Sequence, residues 1–163
     1  MDYIWSPWRY HYVKQADKEP RCVFCEIHTS HDDENNLVVF RGQSNFIVLN
    51  RYPYTSGHVM IVPTAHVATV EGAAVEALEE MMRLARRAES ALRKLYKPDG
   101  LNLGMNIGKA AGAGIGGHIH LHVLPRWIAD NNFVTVVGET RVLPEELPET
   151  WRRLHAEFHP PSA

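Results

Sequence analysis

Long apolar runs are missing from this chain. No stretch approaches the roughly 20 residues that a bilayer-spanning helix needs, so no membrane partner is expected. The opening Met1-Asp2-Tyr3-Ile4-Trp5 lacks the apolar core of a signal peptide, and the expectation is a cytoplasmic protein. A surplus of one charge is also missing: Lys+Arg 17 against Asp+Glu 19 gives a formal net charge of −2. That balance argues against nucleic acid as the main partner, so any phosphate binding must be local. Cysteine is scarce. Cys22 and Cys25 are too close and too few for a secreted disulfide framework, and in a reducing compartment such a pair more often means metal or redox chemistry. Low-complexity tracts and internal repeats are absent, and 45% hydrophobic with 22% charged residues lies in the globular range. A length of 163 residues suits one domain. Histidine, with 10 copies, is the residue in excess.

The chain divides into an aromatic, basic strap at 1–21, a main body at 22–137, and an extension at 138–163 that belongs to the same domain. In the body, residues 37–40 and 45–49 flank Gly42-Gln43-Ser44 and predict an antiparallel hairpin, and residues 58–62 predict a third strand ending against Pro63. From about 72 to 96, apolar residues at Val75, Leu78, Met82, Ala85, Leu92 and Tyr96 recur in steps of three and four, which predicts one long helix with that stripe toward the core. Lys97-Pro98-Asp99-Gly100 stops it. Residues 101–107 and 118–124 read as strands around a glycine-rich loop, and residues 133–137 read as a further strand. One helix among many short strands with tight turns favours an α+β fold with a mainly antiparallel sheet.

The strongest chemical signal is His118-Ile119-His120-Leu121-His122-Val123-Leu124. Strand alternation puts the three imidazoles on one side and the apolar residues on the other. By itself this pattern fits a metal cluster, a polar sheet face or catalysis. Immediately before it, Lys109-Ala110-Ala111-Gly112-Ala113-Gly114-Ile115-Gly116-Gly117 reads either as a mobile linker or as a loop whose backbone N–H groups converge on an anion. A phosphate cradle next to imidazoles points to attack on phosphorus, because a neutral imidazole can form a covalent intermediate. Cys22-Val23-Phe24-Cys25 is compatible with zinc, with thioredoxin-like redox chemistry, or with two core cysteines.

These residues resemble the histidine triad superfamily of nucleotide hydrolases and transferases. Residues 118–124 fit its signature, and the resemblance extends over Phe46-Ile47-Val48-Leu49-Asn50, Gly57-His58-Val59-Met60-Ile61-Val62-Pro63 and Asn106-Ile107-Gly108. Trp5-Ser6-Pro7-Trp8-Arg9, Pro125-Arg126-Trp127 and Asp130-Asn131-Asn132-Phe133 are similar to a bacterial branch that includes diadenosine tetraphosphate phosphorylases. The resemblance implies a histidine triad fold with a five-stranded antiparallel sheet, one long helix and short terminal helices, paired as a homodimer. It implies His120 as nucleophile, forming a nucleotidyl-histidine, with His122 hydrogen bonding and donating a proton to the departing group and His118 orienting the strand. Asn50 corresponds to a ribose contact and Asn106 to a phosphate contact. Backbone N–H groups of Gly112, Ala113 and Gly114 are candidate phosphate donors, His58 is a supporting histidine, and Trp127 is a candidate flank of the nucleotide site.

In zinc-containing relatives a histidine after the third strand and the first triad histidine complete a cysteine pair. The implied ligands here are Cys22, Cys25, His66 and His118, a closed and therefore structural shell for zinc. Gly114 stands where the phosphorylase pattern has a hydroxyl side chain, which leaves water and phosphate both open as acceptor. The expected function is phosphorolysis or hydrolysis of a dinucleoside polyphosphate, such as diadenosine tetraphosphate, or of a related nucleoside phosphate ester or phosphoramidate. The alternatives are a nucleotide-binding regulatory module with little turnover, and a nucleotidyltransferase, against which His122 argues because such relatives usually carry glutamine there. His11, His28, His31, His155 and His159 match no motif and are expected at the surface.

Overall fold

A computed structural model describes residues 21–138 and 142–160. Apart from Arg21, the aromatic strap therefore lies outside the described residues, as do residues 139–141 of the extension. One five-stranded sheet runs through the domain in the order β1-β2-β3-β5-β4, with β1 Val38–Arg41, β2 Asn45–Leu49, β3 Val59–Pro63, β4 Gly100–Gly104 and β5 Leu121–Arg126. Every pairing is antiparallel. All residues of β2 and β3 are buried, because both faces of these strands are covered, and their sequences accordingly read as continuous apolar runs.

One face, carrying Ile47, Leu49, Val59, Ile61, Leu121 and Val123, packs against the long helix α2, Val75–Tyr96, and the C-terminal helix α4, Leu147–Phe158. On the opposite face a smaller cluster of Phe46, Val48, Met60 and Val62 gathers around Phe24 of the short helix α1, Val23–Thr29. That cover stops short of β5, and the histidines occupy the space beyond it. Glu80 of α2 accepts from the Gln43 N–H at 2.7 Å and from the Ser44 N–H and Asn45 side chain at 2.8 Å, tying the β1–β2 turn to the helix. Partial burial raises its affinity for a proton, but these donors prevail and hold the carboxyl below its ordinary range.

The long helix ends as its sequence predicts, with Lys97 in the left-handed region at φ 46 and its N–H bonded to the Arg93 carbonyl. Its buried stripe keeps Ala85 and Leu92 of the expected one and departs from it elsewhere. Val75 and Met82 are 65% and 58% exposed, whereas Ala77, Met81, Leu84, Ala85, Ala88, Ala91 and Leu92 face the sheet. Four of these seven are alanines, which let the helix lie close to the strands, so a stripe drawn mainly through large residues is rotated away from the true contact.

Residues 133–137 are not a strand. Phe133–Val136 form the short helix α3, whose first turn is capped by the Asn132 side chain accepting the Val134 N–H at 2.9 Å. Phe133 is 75% exposed, and with no neighbouring strand to pair with among the described residues, the β-branched run follows its cap. The expected strand at 101–107 stops at Gly104, while β5 continues through Pro125, whose carbonyl accepts the Thr55 hydroxyl at 3.0 Å. Among the described residues, no helix is long and apolar enough to cross a membrane.

Candidate active site

The three triad imidazoles lie on one side of β5 and of the extended segment that leads into it, each held by a different partner. His118 donates its Nε2–H to the Pro63 carbonyl at 2.9 Å, which leaves the Nδ1 lone pair 3.3 Å from Cys22 Sγ and 3.7 Å from Cys25 Sγ. His120 donates Nδ1–H to the His118 carbonyl at 2.9 Å, so its lone pair is on Nε2. His122 is governed through His58. The Tyr54 N–H reaches His58 Nδ1 at 3.2 Å, and the Asn50 amide lies 3.4 Å from the same atom. An acceptor at Nδ1 puts the His58 proton on Nε2, where it is donated to His122 Nδ1 at 2.9 Å, and the His122 proton is thereby placed on Nε2. The His120 and His122 rings meet edge to face with centroids 4.8 Å apart. A nucleophilic lone pair and a hydrogen-bond donor thus stand side by side.

His118 and His120 are buried, and both contact the Phe24 ring, at 5.5 and 5.1 Å between centroids. Burial lowers the His120 pKa below the ordinary imidazole value, against the opposite pull of the His118 carbonyl. Burial likewise lowers His118, with a smaller push in the same direction from neighbouring His66, His120 and His28, against the Pro63 carbonyl. The His120 lone pair is therefore available at neutral pH.

Cys22, Cys25, His66 and His118 form a second group, with one donor atom from each lying within 4.8 Å of the others. Cys25 Sγ is 3.3 Å from His66 Nδ1, the same distance as Cys22 Sγ from His118 Nδ1. Metal–sulfur bonds near 2.3 Å and metal–nitrogen bonds near 2.0 Å give tetrahedral edges of about 3.5 Å, so the donor set and its spacing fit zinc. Neither cysteine is a core residue: both are partly exposed and turned toward histidines. Burial and the adjacent Cys22 push the Cys25 thiol up, an effect that a bound cation opposes.

The remaining candidates are placed as follows. Asn50 lies beside His58, with its Oδ1 accepting the Tyr52 N–H at 2.9 Å. Asn106 is half-buried just before the glycine-rich loop, which makes a 3-10 turn at Lys109–Ala111. Inside that loop the Gly112 N–H donates to the Lys109 carbonyl at 2.9 Å and the Ala113 N–H to the Gly108 carbonyl at 3.3 Å. These two expected phosphate donors are thus engaged with loop carbonyls, and of the three only the Gly114 N–H has no such bond among the described residues. Trp127 is five residues beyond His122, with its indole N–H directed at the Tyr96 carbonyl at 3.4 Å, and it lines a separate cavity. His155 stacks on Trp151 and His159 stacks on His155 along α4 and its C-terminal end, away from β5. Residue-by-residue reading missed Tyr54, whose backbone orients His58 and whose ring lies 4.8 Å from His58 and 6.2 Å from His122. Nothing in the local pattern distinguishes it from a turn residue.

Comparison with known proteins gives this geometry a context. Over 163 residues the chain is 36% identical to an AP-4-A phosphorylase of Mycobacterium tuberculosis, covering 95% of this chain and 83% of that protein. Among solved structures it is similar to a Zn-bound histidine triad family protein from Mycobacterium smegmatis, with 30% identity, a TM-score of 0.69, and coverage of 85% of this chain and 93% of that one. A histidine triad nucleotide-binding protein from Sulfolobus tokodaii shares the fold at 23% identity and a TM-score of 0.66, with coverage of 85% and 92%. Residues 32–127 match the HIT domain, and the chain belongs to the HIT family.

Proposed function

We propose that this protein cleaves dinucleoside polyphosphates through a nucleotidyl intermediate on His120, with phosphate as the preferred acceptor. The carrying observation is the pair of tautomers imposed on His120 and His122 by the His118 carbonyl and by the Tyr54–His58 relay. The 36% identity to an AP-4-A phosphorylase supports the choice of substrate class. In the first step His120 Nε2 forms a bond to the α-phosphorus as the P–O bond to the leaving group breaks. His120 Nδ1–H stays on the His118 carbonyl and stabilises the positive charge that develops on the ring. His122 Nε2–H hydrogen-bonds the departing oxygen, and a nucleoside triphosphate leaves as an anion without needing a full proton. In the second step an oxygen of phosphate or water attacks phosphorus, the N–P bond breaks, and its electron pair returns to Nε2; with water, one proton passes to solvent.

Asn50 is assigned to the ribose, and Asn106 with the Gly114 N–H to phosphate oxygens. Cys22, Cys25, His66 and His118 would hold a structural zinc, which when bound supplies a rigid link between α1 and the segment bearing His118 and so orients His120. A homodimer is assigned on the same family basis, and the outer strand β4 leaves Leu103 45% exposed.

The engagement of the Gly112 and Ala113 amides inside their own loop favours a second reading, hydrolysis. Chromatography of products from diadenosine tetraphosphate in millimolar phosphate separates the two. Phosphorolysis yields ADP and ATP, whereas AMP and ATP without ADP would make this chain a hydrolase.

A further inference from the structure

Beyond the triad, a cavity of about 540 Å³ lies at the C-terminal end of β5. Its volume is in the range of small-molecule sites. Rings of Tyr54, Tyr96 and Trp127 line it, together with Ser56. Ser56 is 8% exposed, and its hydroxyl has no hydrogen-bond partner among the described residues. A buried hydroxyl left unpaired costs free energy, and a ligand bound in the cavity would remove that cost. Charge in the walls is already paired: Arg126 donates to Asp130 at 2.8 Å, and Glu145 accepts from both Arg153 and Tyr96. Among the described lining residues no charge is left over for a phosphate. The walls suit an uncharged planar ring bearing hydroxyl groups.

Position connects the cavity to the triad. The Tyr54 ring forms part of its wall and lies 6.2 Å from the His122 ring. Trp127, on another wall, is five residues further along the chain, about 17 Å at the rise of an extended strand. Each phosphate of an extended polyphosphate advances about as far as one strand residue. Three phosphates and a ribose beyond the leaving oxygen therefore bridge a comparable distance.

We propose that this cavity binds the nucleoside of the leaving half of a dinucleoside polyphosphate, with the base among Tyr54, Tyr96 and Trp127 and a ribose or base group bonded to Ser56. The assignment rests on the function proposed above. It also gives Trp127 a role in substrate binding at a distance from the attacked phosphorus.

Two variants test it, each with two substrates. Ser56→Ala removes only the unpartnered hydroxyl, so the fold is retained, and Thr135→Trp fills the cavity from α3. Diadenosine tetraphosphate is compared with adenosine 5′-phosphoramidate, which delivers the same nucleotidyl group to His120 but has no second nucleoside. Both variants should raise KM for the dinucleotide, by about five- to tenfold for the loss of one hydrogen bond, while kcat/KM for the phosphoramidate stays within about twofold. An unchanged dinucleotide KM in both variants, or an equal loss on both substrates, would overturn the proposal. If the wild type turns over neither substrate, the proposed function fails instead, and equilibrium binding then judges the cavity alone. A preference for diadenosine tetraphosphate over AMP that disappears in Ser56→Ala supports the assignment; no such preference, or one that persists in both variants, refutes it.

Discussion

The two faces of the sheet are built from the same strands but put them to different uses. On the helix-covered face, Ile47, Ile61 and Val123 meet Met81, Leu84 and Leu92 in one continuous core, and stability comes from apolar area removed from water. On the opposite face the apolar cluster around Phe24 is smaller, and across β5 it gives way to imidazoles whose hydrogen bonds are each directed at one ring nitrogen. A site of this kind needs a rigid support that does not itself supply polar groups, and the helical face provides it. Substitutions on the two faces should therefore have separable consequences.

The largest separation is expected at His120. His120→Ala leaves the helical core untouched and removes the only group assigned to form the covalent intermediate, so kcat/KM on diadenosine tetraphosphate should fall by at least about a thousandfold with a near-normal melting curve. Retention of a tenth of the activity would place the nucleophile elsewhere. Cys22→Ser comes next, and it should blur the comparison, because it acts on fold and site together. Elemental analysis should find one zinc per wild-type chain and none in the variant. Closing such a site contributes folding free energy, so Tm should drop by about 10 °C, the shift that about 3 kcal/mol produces in a domain of this size. A wild-type protein that is stable and active without metal would remove zinc from the account.

How much could be read in advance also differs between the faces. The signature at 118–124 and the Cys22–Cys25 pair were legible because both depend on residue type at fixed spacing, whereas His66 and His118 as partners of that pair came from the family resemblance alone; the structure brings these side chains together. The β1–β2 hairpin and β3 were legible from apolar runs bounded by turn residues. Tyr54 was not, since it acts mainly through a backbone N–H that every residue except proline possesses. The engaged amides of Gly112 and Ala113 were equally hidden, because a glycine-rich loop can turn its N–H groups inward or outward with the same sequence. On the helical face the error was one of phase: alanines carry little weight in an apolar stripe, yet they form much of the contact. At α3 the cap at Asn132 and the lack of a pairing partner among the described residues outweighed β-propensity.

Adjacent methionines on α2 test that phase directly. Met81 is 1% exposed and Met82 58%. Met81→Ala should cost about 2–5 kcal/mol through lost burial and a cavity, whereas Met82→Ala should stay within about 0.5 kcal/mol. Denaturant unfolding of the two variants decides it: equal costs would refute the observed phase, and a larger cost at Met82 than at Met81 would return the stripe to the position first expected from the sequence. Neither change should alter the nucleotidyl-transfer step.

The smallest effect concerns acid. On the site-bearing face burial depresses His120, and on the helical side burial of His155, with a further push from His159, depresses that ring against the opposing pull of Asp33 and Glu34. An unfolded histidine takes up its proton near pH 6.5, while each of these folded rings does so only at lower pH. Between the two values the unfolded chain binds more protons, so the associated stability is fully present above about pH 6.5 and is lost as pH falls toward the folded values. Replacing either ring by alanine should flatten that acid-side decline in matched unfolding experiments. Activity follows His120 alone. An ordinary imidazole is half protonated at pH 6.5, so a nucleophile with a depressed pKa must lose less than about half of its kcat/KM between pH 7.5 and 6.5. A steeper loss that persists in His155→Ala would show that a different group, with an ordinary or raised pKa, limits the reaction, and the neutrality assigned to His120 would then be insufficient to explain the rate.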